Sequence, residues 1–163
     1  MTGLRLISAI MAAAFAAAPI AASADTLTNT MNARIRVDTA CRVFTEPLAF
    51  GSVNLFSGVV DAQATIRLRC GPAVAYTVAI DNGQNVNGTQ RRMSRGPGWF
   101  QYVNYQIYRD AARSQPWGAT GGAVVTGTTP TNGDVDLIAY GRVPNSIVLP
   151  AAYTDIVTVT VSF

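Results

Sequence analysis

The stretch that decides the fold is Val157-Thr158-Val159-Thr160-Val161-Ser162-Phe163. Its apolar residues Val157, Val159, Val161 and Phe163 alternate with three hydroxyl-bearing residues. Successive side chains of a β-strand point to opposite faces of a sheet. The alternation therefore predicts a strand with one apolar face and one polar face.

Similar alternation recurs in several segments closer to the start of the chain. It covers residues 62–70, 76–80, 103–107 and 136–143, with turn-forming runs such as Asp81-Asn82-Gly83 between segments. No segment after residue 24 shows a helical period, and we interpret residues 83–98 as a polar loop. Short strands at this spacing favour an all-β sandwich of one domain.

A second clean alternating strand lies near the start of the chain, where Met31, Ala33, Ile35 and Val37 share one face. The chain stops on the 157–163 strand, and an apolar edge strand invites pairing with another chain. Head-to-tail exchange of such strands builds an open filament. The alternative is that residues 26–37 pair within their own sandwich, and periodicity alone leaves both interpretations open.

The first 24 residues have the features of a secretory signal peptide. Arg5 supplies a positive start, residues 9–18 form an apolar run, and Ala22-Ser23-Ala24 is a small-residue cleavage site. We expect export with cleavage after Ala24. The chain then divides into the signal peptide 1–24, an N-terminal extension 25–38 and a β-sandwich domain 39–163.

The composition excludes several classes of function. The 163-residue chain contains no histidine and no lysine, and its formal net charge is +3. It therefore lacks an imidazole base, a Schiff-base lysine and the common zinc ligand set, and its charge is small for a nucleic-acid binder. The nearest carboxylate pair, Asp134 and Asp136, is too small for a calcium site. We predict no enzymatic activity, no cofactor, no metal site and no nucleic-acid partner.

The two cysteines, Cys41 and Cys70, are predicted to form a disulfide, because an exported chain with an even cysteine count favours one. Closing a loop of about 30 residues is worth roughly 3–4 kcal/mol in the chain-entropy account. The alternative, a catalytic thiol, needs a basic partner, and the chain has no histidine or lysine.

Several of these segments together resemble one family. They are Cys41, Phe50-Gly51, Ile66-Arg67-Leu68-Arg69-Cys70, Tyr76-Thr77-Val78-Ala79-Ile80-Asp81-Asn82-Gly83, Val103-Asn104-Tyr105-Gln106-Ile107-Tyr108-Arg109-Asp110-Ala111-Ala112-Arg113 and the 157–163 ending. In this order they resemble the spore coat protein U domain, found in the subunits of archaic, Csu-type chaperone–usher pili. The resemblance covers residues 31–163, nearly the whole exported chain.

The resemblance implies an incomplete immunoglobulin-like β-sandwich that lacks its last strand. A periplasmic chaperone would lend a strand, and the N-terminal extension of the next pilin subunit would replace it after passage through the outer-membrane usher. The donor strand would be residues 28–37, with the four side chains at 31, 33, 35 and 37 inserted. Its boundary stays open, because only 16 residues separate Ala24 from Cys41.

The acceptor edge would include Val157, Val159, Val161 and Phe163, and the Phe163 carboxylate would anchor on basic residues of the chaperone. The implied function is a structural pilin of the cell surface, serving adhesion and biofilm formation. Two alternatives are a single-domain adhesin that binds carbohydrate or a surface, and a spore or envelope coat protein.

Other polar and aromatic groups are interpreted as structural, so no small-molecule ligand is expected. Arg109, Asp110 and Arg113 are read as an exposed turn with a weak ion pair. Three more arginines, Arg91, Arg92 and Arg95, are read as a solvated loop rather than a site for an acidic surface or glycan. Trp99 is expected to pack in the core or at its rim, whereas for Trp117 packing and ligand stacking both stay open.

Overall fold

The computed structural model describes residues 31, 33–35, 41–52, 58–146 and 148–163. The predicted signal peptide and Val37 lie outside these residues. Within the described part of the chain, no helix is long and apolar enough to cross a membrane.

The chain divides into two units, Met1–Arg36 and Val37–Phe163. In the first unit, the described residues 31 and 33–35 are not in a strand, and the side chains of Met31 and Ile35 are 92% and 88% exposed. The predicted donor strand is therefore not formed in the residues that the structure describes.

The second unit is built almost entirely of strands. Its elements are β1 (Arg42–Thr45), β2 (Val60–Arg69), β3 (Ala75–Ile80), β4 (Arg91–Ser94), β5 (Tyr102–Tyr108), a 3-10 turn (Gly121–Ala123), β6 (Val125–Thr128), β7 (Asp134–Val143) and β8 (Val159–Ser162). They form a five-stranded sheet in the order β1-β2-β7-β5-β4 and a three-stranded sheet in the order β6-β3-β8. All pairings between these strands are antiparallel, which confirms the predicted all-β sandwich.

The core follows the predicted alternation. Ile66 and Leu68 of β2 and Val78 and Ile80 of β3 are fully buried, whereas the residues between them are half-buried or exposed. The predicted disulfide is present and joins Cys41, just before β1, to Cys70, just after β2. It ties the start of the domain to the end of β2.

The structure decides between the two alternatives for Trp117 and corrects the core position expected for Trp99. Trp117 is fully buried, and its indole N–H donates to the carbonyl of Val78 at 3.0 Å, which satisfies its one polar atom. Trp99 precedes β5 rather than lying within it, and it is 50% exposed. Its turn, Gly96-Pro97-Gly98, holds two glycines at positive φ and lifts the aromatic residues away from the core.

Candidate functional site

The candidate site is the unpaired edge of β8. Among the described residues, β8 pairs only with β3, with Val78 opposite Val161 and Ile80 opposite Val159. The Asp81 N–H donates to the Thr158 carbonyl at 3.0 Å, so the main-chain groups of Thr158 and of every second residue after it point toward β3. Because main-chain groups alternate in direction along a strand, those of Val159 and Val161 point away from β3, toward the unpaired edge.

The same two residues carry the side chains that face the core. Val159 and Val161 are only half-buried, although their cross-strand partners Ile80 and Val78 are fully buried. Val157 is also half-buried, and Phe163 is 59% exposed. The edge therefore offers apolar side chains on the same residues whose main-chain groups have no strand partner in the described part of the chain, which is what an added strand requires.

A second edge strand, β1, is also incompletely covered. In the described residues β1 pairs only with β2, where Val43 lies opposite the fully buried Leu68. Val43 shares the face of Leu68, yet it is 40% exposed. The sandwich thus leaves apolar side chains of its inner faces uncovered on an edge strand of each sheet.

The segment after β1 turns onto the core face of the larger sheet. Leu48 and Phe50 pack against Gly141 of β7, where an added β-carbon would lie 2.8 Å from each of them. Glycine is needed there for the close approach, and Phe50 also makes an edge-to-face contact with Tyr105, with ring centroids 6.1 Å apart.

Two carboxylates act as fastening groups for the chain just before β8, because they accept hydrogen bonds from main-chain N–H groups. Asp81 accepts the Thr158 N–H at 2.8 Å and the Gly83 N–H at 3.0 Å. Burial raises the pKa of Asp81, but these hydrogen bonds outweigh it, so the pKa lies below its ordinary value. Asp155 accepts the N–H groups of Gln84 and Asn85, each at 3.1 Å.

Asp155 also joins β8 to the opposite sheet, because it accepts the Tyr105 hydroxyl at 2.7 Å. Burial, followed by this hydrogen bond to a carboxylate, raises the pKa of Tyr105 above its ordinary value, so the phenol stays protonated and donates. Gly83, at φ +78°, leaves no room for a β-carbon beside the Asp155 carboxylate. One end of the candidate edge is therefore held rigidly on both sheets.

Arg91 corrects the interpretation of residues 83–98 as a solvated loop. It lies in β4, is 1% exposed, and donates to the carbonyls of Ile80 (3.0 Å), Asp81 (2.6 and 2.9 Å) and Trp117 (2.8 Å), as well as to the Gln106 side chain. Burial lowers its pKa from the ordinary arginine value. A buried cation is tolerated because main-chain oxygens satisfy its donors.

The outer face of β2 and β7 carries ion pairs. Arg67 pairs with Asp136 at 2.6 Å and lowers the pKa of that carboxyl, and Arg69 lies 3.9 Å from Asp134. The Asp134 and Asp136 pair thus faces arginines. No group of three or more His, Cys, Asp or Glu residues is placed to hold a metal ion within the described residues.

The expected ion pair within Arg109, Asp110 and Arg113 is wrong. The Asp110 carboxylate accepts N–H groups of its own turn, those of Ser114 (3.1 Å) and Gln115 (2.8 Å). Arg113 instead pairs with Asp61 at 3.3 Å and donates to the Gly141 carbonyl at 3.2 Å. Local main-chain donors lie closer to Asp110 than any distant guanidinium, so they saturate it first.

The fold is an all-β sandwich of two antiparallel sheets, and the edge strands β1 and β8 are only partly covered in the described residues. The Spore Coat Protein U domain matches residues 27–160, and the chain belongs to that family. Comparison with curated proteins gives no match.

A solved structure shares the fold. It is one chain of the CsuC–CsuE chaperone–tip adhesion subunit pre-assembly complex from archaic chaperone–usher Csu pili of Acinetobacter baumannii. The TM-score is 0.60 at 22% sequence identity, over 78% of this chain and 40% of that one. The present chain therefore spans less than half the length of that relative.

The structure brings the predicted acceptor residues Val157, Val159, Val161 and Phe163 together along one edge. Of the predicted donor residues, Met31, Ala33 and Ile35 are described but lie outside any strand. Sequence reasoning missed the fastening groups Asp81, Asp155, Tyr105 and Arg91. Only Asp81 had a local signal, because it opens the Asp-Asn-Gly turn, whereas the others meet through contacts distant in sequence.

Proposed function

We propose that the protein is a structural subunit of a chaperone–usher pilus and that subunits are joined by donor-strand exchange. The observation that carries the proposal is the contrast across the β3–β8 pair. Core-facing side chains are fully buried on β3 but only half-buried on β8, whose other edge is unpaired in the described residues. Family membership and the shared fold support the same conclusion.

A strand added along β8 would gain free energy from both its side chains and its main chain. Full burial of a valine-sized side chain is worth about 1.5–3 kcal/mol relative to full exposure, so completing the burial of Val157, Val159 and Val161 contributes a few kcal/mol. A strand laid along β8 also supplies partners for the edge-facing main-chain groups of Val159 and Val161. Both terms favour an extended segment with apolar residues at every second position.

The N-terminal segment 28–37 has this pattern. Its apolar residues Met31, Ala33, Ile35 and Val37 are spaced two apart, so in an extended strand all four enter the same groove. Met31 and Ile35 are large apolar side chains that lie almost fully exposed. We propose that they are buried in the groove of a neighbouring subunit.

The remaining parts of the proposal concern partners and location. A periplasmic chaperone supplies the temporary strand, and an outer-membrane usher delivers subunits to the growing filament. The predicted signal peptide 1–24 directs the chain to the periplasm, with cleavage after Ala24. The filament at the cell surface serves adhesion and biofilm formation.

The experiment compares Ile35→Asp with Thr30→Asp, which changes the opposite face of the proposed strand. A buried unpaired carboxylate costs several kcal/mol, so Ile35→Asp should abolish filaments while the subunit is still recovered with its chaperone. Thr30→Asp should leave both nearly unchanged. The measurements are co-purification with the chaperone and filament yield on the cell surface. If Ile35→Asp removes the chaperone complex as well, residues 26–37 form an internal strand and the proposal is wrong.

A further inference from the structure

The hairpin between β4 and β5 exposes an aromatic cleft that the proposed assembly does not use. The cleft has a volume of about 390 Å³ and includes Trp99, Phe100 and Tyr102 in its lining. Trp99 is 50% exposed and Phe100 is 92% exposed. Adjacent large aromatic side chains exposed to solvent are typical of a ligand-binding or protein-binding surface.

Two arginines lie beside this cleft, each stacked on one of its aromatic rings. The Arg95 guanidinium stacks 3.9 Å from the centroid of the Trp99 ring, and that of Arg92 lies 4.1 Å from the centroid of Tyr102. Within the described part of the chain, neither arginine forms an ion pair with a carboxylate. The arginines of the β2–β7 face, by contrast, are paired with aspartates, so the excess positive charge on this hairpin favours an anionic ligand.

The cleft also offers neutral hydrogen-bonding groups. Gln84 and Asn85 line it, and the Asn85 amide group is held by Asp155 at 2.9 Å. The side-chain amide of Gln84 and the hydroxyl of Tyr102 make no hydrogen bond to the other described residues. Groups that both donate and accept match a ligand rich in hydroxyl groups.

We propose that this cleft binds an acidic saccharide, a sugar that carries a carboxylate. The aromatic rings would stack on its C–H face, and Gln84 and Tyr102 would bond its hydroxyls. Arg95 would receive its carboxylate, a geometry in which guanidinium is favoured, because the Arg92 guanidinium already donates to the main-chain carbonyls of Asn85 (2.9 Å) and Val86 (3.4 Å). A neutral sugar leaves the positive charge unused, and an apolar surface leaves the amide and hydroxyl unused. The inference concerns a site apart from the β8 edge residues, so it does not rest on strand exchange.

The test measures binding of galacturonate oligomers to the exported full chain by isothermal titration, with neutral galactose oligomers of the same length alongside. Wild type should bind the acidic oligomer, and binding should weaken between 50 mM and 500 mM salt, because the arginines are only half-buried and dissolved ions still screen them. Trp99→Ala and Arg95→Gln should each weaken it at least about tenfold, the size expected for one lost stacking or charged contact.

The matched control is Phe44→Ala. Phe44 is 51% exposed, and the Arg69 guanidinium lies 5.8 Å from its ring centroid, so it is an arginine–aromatic pair on another surface. This variant should bind like wild type. The proposal is overturned if the acidic oligomer does not bind, if the neutral oligomer binds equally well, or if Phe44→Ala weakens binding as much as Trp99→Ala does. A Trp99→Ala variant that loses only self-association, without saccharide binding by wild type, would also overturn it and identify the cleft as a contact between copies.

Discussion

Replacing Arg91 with methionine should destabilise the domain strongly, although no carboxylate lies within ion-pair distance of Arg91 among the described residues. Arg91 is 1% exposed, and its guanidinium donates to the carbonyls of Ile80, Asp81 and Trp117. These carbonyls belong to the end of β3 and to the buried Trp117, so one side chain connects three parts of the fold. Methionine keeps the apolar stem and removes every donor.

The magnitude follows from these three oxygens. A buried polar group left unsatisfied costs about 1–3 kcal/mol, so three of them cost several kcal/mol. Methionine avoids the penalty of burying a charge, which offsets part of the loss. We expect the free energy of unfolding to fall by about 3 kcal/mol, a large share of the ~5–15 kcal/mol that a domain has.

The assay is urea unfolding of the disulfide-bonded chain, followed by tryptophan fluorescence, because Trp117 is in contact with Arg91. With a slope of about 2 kcal/mol per molar urea, the midpoint should fall by about 1.5 M. The control is Arg92→Met at the next, half-buried position, which should lose less than about 1 kcal/mol. Equal midpoints for Arg91→Met and wild type would refute the role assigned to Arg91.

Two further predictions concern the Asp81 carboxylate and the disulfide. The pKa of Asp81 is lowered in the folded state, so its carboxylate stabilises the fold above the unfolded-state pKa, and this stability is lost as the pH falls through the lower folded value. Asp81→Asn should therefore flatten the acid side of a plot of unfolding free energy against pH. An unchanged slope would count against the hydrogen bonds from Thr158 and Gly83. Reduction of the Cys41–Cys70 disulfide should lower the free energy of unfolding by roughly 3 kcal/mol, measured by urea unfolding with and without reductant, and identical curves would contradict that contribution.

Alternation was enough to predict the strands that bury one face. The 157–163 and 62–70 stretches become β8 and β2, because the apolar residues at every second position must face the core. β4 was missed because its most buried residue is Arg91, and a polar sequence gives no sign that main-chain carbonyls distant in sequence will satisfy that side chain. The choice left open for Trp117 could not be made from the sequence for a similar reason. The partner of Trp117, the Val78 carbonyl, lies 39 residues away in sequence.

The residues of the β8 edge could be predicted from the sequence, but the burial of their side chains could not. The valines of the last strand identify which side chains face the core, whereas their half-buried state depends on which strands pair. Asp155 and Tyr105 are 50 residues apart, so their hydrogen bond has no local sequence signal. The arginine–aromatic cleft likewise depends on the turn after β4, which turns Trp99 and Phe100 outward.

The most direct test of the central claim is to supply the proposed donor strand within the same chain. Residues 28–37 are appended after Phe163 through a flexible linker, and thermal unfolding is compared with the same construction carrying Ile35→Asp in the appended copy. If the β8 edge accepts this strand, the appended copy should raise the melting temperature by at least about 10 °C, corresponding to roughly 3 kcal/mol, and the aspartate version should not. Equal melting temperatures for the two constructions would contradict the claim that the sandwich is completed by this segment.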